Sequence, residues 1–157
     1  MPQRDIEPLD LLAFEFFREF ARCEYCLKIS GFLTGSPRAP KANWTTFAQS
    51  IEQLFNEPGE QLADAIGYYL EHPPKKQIVG EEGLTWEQEL PNHANVADLV
   101  LKLVCRVRNN LFHGGKFNGH WFEPQRSDDL LRAGLIILRS AISASPQVSQ
   151  AYAGRAE

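Results

Sequence analysis

The sequence predicts an all-α protein, an up-and-down bundle of about five helices. Three observations carry that expectation. Apolar residues recur at helical spacing over long stretches, beginning with Leu12, Phe16, Phe20, Cys23 and Leu27. Strand-like alternation of apolar and polar residues is nearly absent. Breaks rich in proline and glycine separate one periodic stretch from the next.

Leu9 to about Phe32 reads as one long helix. A second stripe, Phe14, Phe17, Ala21 and Tyr25, widens its apolar arc and marks it as a central core element or a subunit contact. Glu15, Arg18, Glu19, Arg22 and Glu24 alternate in sign, as on a solvated, ion-paired face. Gly31 ends the pattern, and Thr34 to Pro40 reads as a loop. Asn43 is placed to cap a second helix, about Trp44 to Phe55, with Trp44, Phe47, Ile51, Leu54 and Phe55 inward.

After the break at Asn56 to Gly59, a third, shorter helix runs from about Glu60 to Tyr69. His72-Pro73-Pro74 stops it. Residues 72–92 are the least regular stretch. Ile78-Val79 and Leu84-Thr85-Trp86 fit brief extended pieces, but also an ordered loop with a helical turn, and the sequence leaves both open. Asn95 can cap a fourth helix reaching about Phe112, with Val96, Leu99, Val100, Leu103, Val104, Val107 and Leu111 as its stripe. Gly114-Gly115 terminates it. Ser127 can cap a fifth helix, about Asp128 to Ala144, and the small, polar tail 145–157 is expected to fray. No repeat or boundary divides residues 1–157, so a single domain is expected.

Composition narrows the classes of function. The 157 residues are 43% hydrophobic and 23% charged, ordinary for a globular chain with one sizeable core. No apolar run is long enough for a membrane span, and the polar N-terminus lacks the order of a secretory signal. A cytoplasmic protein without membrane attachment is the expectation. The net charge of −4 argues against nonspecific coating of nucleic acid, but leaves room for a local phosphate site. Cys23, Cys26 and Cys105 are an odd number and build no disulfide framework. The Cys23-x-x-Cys26 pair lies on a helix with no second pair, so it reads as buried small hydrophobes rather than a zinc site.

The chemistry concentrates in Arg108-Asn109-Asn110-Leu111-Phe112-His113. With Val96 set to zero and about 100° per residue, Arg108 lies near 120° and Asn109 near 220°. His113 falls near 260° and Arg106 near 280° on the same wheel. Asn109 and His113 are four apart, so the amide can orient the imidazole. Arg108 and His113, about 140° apart, converge only if the last turn distorts or a second copy completes the site. Histidine titrates near neutral pH and handles protons, and arginine offers a fork of donors to phosphate. No acidic cluster suited to a divalent metal lies nearby in sequence. Such a set suits metal-independent cleavage of RNA, whose 2′-hydroxyl is an internal nucleophile. The same residues also suit the negative end of a helix for stability alone.

The whole string from Arg108 to Lys116, RNNLFHGGK, resembles the signature of the HEPN superfamily: an arginine, a polar residue and a histidine after a short gap. Its Asn-Asn, aromatic and His-Gly form is similar to the ApeA-like and plasmid-borne branches of bacterial defence systems. Phe17 to Lys28 resembles, more loosely, the opening helix of such domains. The resemblance implies an all-α bundle forming a homodimer through the motif helix, and a metal-independent endoribonuclease that needs no cofactor. It implies His113 as general acid and base, Arg108 as phosphate ligand and Asn109 as the residue that orients them. Lys116, Asn110 and Arg106 are the expected substrate-binding residues, with RNA as substrate and an antitoxin or defence-system protein as partner. Glu24 is a weaker candidate for bonding a motif side chain. Some HEPN domains do not cut RNA, and the alternative is a non-catalytic module that binds nucleotide, RNA or protein. Elsewhere, His72, His93 and His120 read as surface or loop residues, with His120 set apart because it follows the motif by only seven residues and a glycine loop can fold it back. Trp44 and Trp86 read as anchors.

Overall fold

The periodic stretches are helices, and the breaks between them hold structure that periodicity does not reveal. The computed structural model describes residues 7–112 and 123–154. In chain order these form α1 (Pro8–Ile29), β1 (Leu33–Ser36), β2 (Ala39–Ala42), α2 (Trp44–Ser50), α3 (Glu52–Asn56) and α4 (Glu60–Glu71). There follow β3 (Lys76–Gly80), β4 (Gly83–Glu87), α5 (Val96–Phe112), α6 (Pro124–Ala144) and α7 (Pro146–Tyr152). The expected all-α bundle is therefore corrected to a mixed α/β protein: helices carrying two separate antiparallel hairpins.

The first hairpin escapes the sequence and the second is left open by it, for the same reason. Alternation marks a strand only where one face is buried. β1 and β2 are exposed almost throughout, pairing Leu33 with Ala42 and Gly35 with Pro40, exactly where proline and glycine suggested a loop. Gly35 has φ +84°, and a Cβ there would lie 2.6 Å from the Ala39 carbonyl oxygen, so no other residue fits easily. In the second ribbon Val79 faces Leu84 across the strands, and both are largely exposed. This ribbon resolves the open reading of residues 72–92 in favour of extended structure.

The helical elements need smaller corrections. The single second helix is two, broken where Ile51 takes φ −120° and ψ 19°. Ile51, Phe47 and Phe55 are nonetheless all buried, so the break preserves the predicted inward face. The last long helix starts at Pro124 rather than beyond Ser127. Proline suits a first turn, where its missing N–H has no helical partner to lose. The tail expected to fray forms α7 as far as Tyr152. Ser145 accepts from the Val148 N–H, Val148 is buried, and the Tyr152 hydroxyl donates to Glu19 at 2.7 and 2.8 Å.

α5 is the axis of the core. Val100, Leu101, Leu103 and Val104 are fully buried, and α5 touches α1, α2, α3, α4, α6 and β3. Beside it, α4 and α6 meet at Tyr69, whose buried hydroxyl donates to the Leu130 carbonyl at 2.8 Å. Gly134 makes room for this meeting: a Cβ there would come within 2.7 Å of both the Tyr69 hydroxyl and the Phe16 ring. The second stripe of α1 faces outward, with Phe14, Phe17 and Tyr25 exposed. No helix among the described residues is long and apolar enough to cross a membrane.

Candidate nucleic-acid site at the end of α5

α5 begins in a closed network. Asn95 Oδ1 accepts from the Asp98 N–H at 2.9 Å, the expected cap. Asp98, almost fully buried, accepts from the Ala94 N–H at 3.0 Å, from the Thr45 hydroxyl at 3.1 Å and from Lys102 Nζ at 3.1 Å. Burial alone would push its carboxyl up. The Ala94 N–H, the Lys102 ammonium and the Thr45 hydroxyl outweigh burial and hold it below the usual value.

The other end of the helix opens onto two clefts. One, about 140 Å³, lies between α5 and α1 and is lined by Phe17, Phe20, Ala21, Glu24, Tyr25, Lys28 and Arg108. The half-buried Arg108 places its guanidinium carbon 5.9 Å from the Phe20 ring centroid, and its Nη1 donates to Asn109 Oδ1 at 3.1 Å. Phe20 is itself fixed by stacking on Trp44 at 5.3 Å. Glu24, 3.7 Å from Lys28 in an i, i+4 ion pair, borders the same cleft. A cation over an aromatic floor, beside a second cation, can receive an anionic oxygen.

The second cleft, about 490 Å³, lies between α5 and the β3–β4 ribbon. It is lined by Lys76, Gln77, Pro91, Lys102, Arg106, Asn109 and Asn110. Arg106 Nη1 donates to the Glu89 carbonyl at 2.7 Å. Burial lowers its guanidinium from the ordinary value, while the Glu87 and Glu89 carboxylates oppose that shift. Arg106 and Arg108 thus open on opposite flanks of Asn109, as their separation of about 160° on the helix requires.

Of the residues expected at the site, Arg108 and Asn109 are in hydrogen-bond contact, and Asn109 shares the second cleft with Arg106. Asn110 is buried and ties α5 to the segment just before β3, its Nδ2 donating to the Lys75 carbonyl at 2.9 Å. His113, Lys116, His120 and the Gly114-Gly115 terminator lie outside the described residues. Lys76, Gln77, Lys102, Tyr25 and Lys28 line the clefts and were not singled out as site residues. The first two stand on a ribbon that the sequence left undecided. Lys28 and Lys102 are spaced like an ordinary solvated helix face, and Tyr25 belongs to the second apolar stripe of α1.

The remaining candidates fall into structural roles. Cys23 and Cys26 are buried, and burial raises both thiols; it pushes Cys105 up to about 12, with the Glu24 carboxylate adding to the effect and Arg108 opposing it. All three are therefore poor nucleophiles at neutral pH. His93 is exposed, its Nδ1 2.9 Å from the Pro91 carbonyl oxygen, and the His72 ring lies 4.9 Å from that of Tyr68. Comparisons with protein-family models, with curated proteins and with solved structures find no match to this chain.

Proposed function

We propose that this chain is a metal-independent endoribonuclease of the HEPN type, acting in the cytoplasm as a homodimer in a bacterial defence or toxin–antitoxin setting. The observation that carries the reading is Arg108: the first residue of the RNNLFH string holds its guanidinium over Phe20 at the edge of a cleft, bonded to Asn109. That geometry supports a phosphate ligand with a positioned neighbour.

In the proposed reaction the substrate 2′-hydroxyl attacks the adjacent phosphorus. The new O2′–P bond forms, the P–O5′ bond breaks, and the products are a 2′,3′-cyclic phosphate and a 5′-hydroxyl. His113 takes the 2′-hydroxyl proton, and an imidazolium returns a proton to the leaving 5′-oxygen. Arg108 stabilises the charge that develops on the phosphorane oxygens. Because α5 is enclosed by other helices, a partner protomer would meet it near its last turn. The exposed Phe14, Phe17 and Tyr25 of α1, the last two lining the Arg108 cleft, offer apolar surface for that contact.

The test is incubation of purified protein with RNA in EDTA. Cleavage leaving cyclic phosphate ends is expected, and is expected to vanish in Arg108→Ala and His113→Ala. Equal behaviour of wild type and both variants on several RNAs would rule the reaction out. Saturable binding without product would instead favour a non-catalytic module.

A further inference from the structure

The cleft between β3 and α5 has a composition that the chain as a whole does not. The protein carries a net charge of −4, yet among the described residues lining this cleft three are cations and none is an acid. Lys76, Lys102 and Arg106 supply the charge, and Gln77 and Asn109 add side-chain amides. We infer that this cleft binds a stretch of single-stranded RNA flanking the scissile bond, with the cations on its phosphates and the amides on its base edges. The inference rests on the ribonuclease reading only for the choice of RNA. The cleft and its charge are independent of catalysis.

Three features favour an extended strand over a single phosphate. Lys102 and Arg106 stand one helical turn apart, about 6 Å along α5, a step suited to two successive phosphates rather than one. Asn109, a further turn along the same face, lines this cleft and also bonds Arg108. A strand lying in the cleft is thereby led toward the Arg108 guanidinium. Planar amides, moreover, pair bidentately with base edges, which an acidic peptide lacks.

The donors needed are present. A lysine ammonium has three N–H groups, and Lys102 uses two, on the Asn92 carbonyl and on Asp98. Arg106 commits Nη1 to the Glu89 carbonyl, leaving further donors on its fork. Lys76 begins β3 and is exposed. The opposing charges are Asp98, buried behind Lys102, and the Glu87 and Glu89 carboxylates near Arg106. Glu87 is also the cross-strand partner of Lys76. These acids limit the attraction and make it tunable.

The test uses the full chain with a labelled single-stranded oligonucleotide of 2′-O-methyl RNA, which has no free 2′-hydroxyl and so cannot undergo the proposed cleavage. Lys76→Glu should weaken binding about tenfold, and Lys76→Ala should reduce the salt slope by about one. Arg106→Gln should weaken binding in the same direction. Glu87→Gln removes an opposing charge and should tighten binding about twofold. Unchanged affinity in both Lys76→Glu and Glu87→Gln, or equal competition by poly-glutamate, overturns the inference. Affinity changes as expected without cleavage of natural RNA would leave the cleft standing and remove the catalytic reading. Cleavage with an unchanged KM in Lys76→Glu would do the reverse.

Discussion

The two ends of α5 are made of similar residues and used in opposite ways. At its start, Asn95, Asp98 and Lys102 are bonded to one another, to Ala94 and to Thr45. At its finish, Arg106, Arg108 and Asn109 border clefts on two sides of the helix. The first arrangement satisfies polar groups that would be costly to bury unpaired. The second keeps charged groups where a ligand can reach them, supported by a helix whose middle is fully packed. Apart from Lys102, which bonds Asp98 and also lines the second cleft, stability and the proposed chemistry are thus separated along a single element, so substitutions at Asp98 and Arg108 should give separable phenotypes.

The largest effect should come from Arg108→Ala. Loss of a transition-state ligand predicts a fall in cleavage rate of about 100-fold or more, with the melting temperature little changed. If this variant unfolds as readily as one made at the other end, the separation fails. Asp98→Ala should do the opposite. It removes the acceptor for three donors and should cost about 2 kcal/mol, read as a lower urea midpoint at constant m-value. Cleavage per folded molecule should persist.

The same carboxylate sharpens the comparison through pH. Its folded-state pKa lies below the unfolded one, so its contribution is present above the ordinary carboxylate value and lost as pH falls through the folded value. Below about pH 4, wild type should therefore lose stability more steeply than Asp98→Asn. The smallest effect is expected at the cap. Asn95→Ala should cost about 1 kcal/mol in the same urea titration.

The sequence made the helices readable because helix formation is local. Asn43 and Asn95 cap where expected, accepting from Thr46 and Asp98, since the cap and the N–H it accepts from lie only three residues apart. Leu12, Phe16, Phe20, Cys23 and Leu27 are buried as one row because a helix turns identical spacing into one face. Tyr69, Gly134 and Phe16 show where this reasoning stops. Nothing near any of them announces that the three would meet, and the α4–α6 approach depends on all of them.

The α5 site divides in the same way. The sequence by itself determined that Arg108 and Asn109 adjoin near the end of a helix, and that Arg106 points to another side. Helical phase fixes both, and it requires no knowledge of the neighbours. Only the tertiary structure decided what each side faces: Phe20 and Tyr25 of α1 around Arg108, and Lys76 and Gln77 of β3 across from Arg106. Those neighbours come from elements distant in the chain, and β3 has no strongly buried face to leave a period of two in its residues. Local periodicity encodes which way a side chain points; the packing of remote segments determines what it meets there.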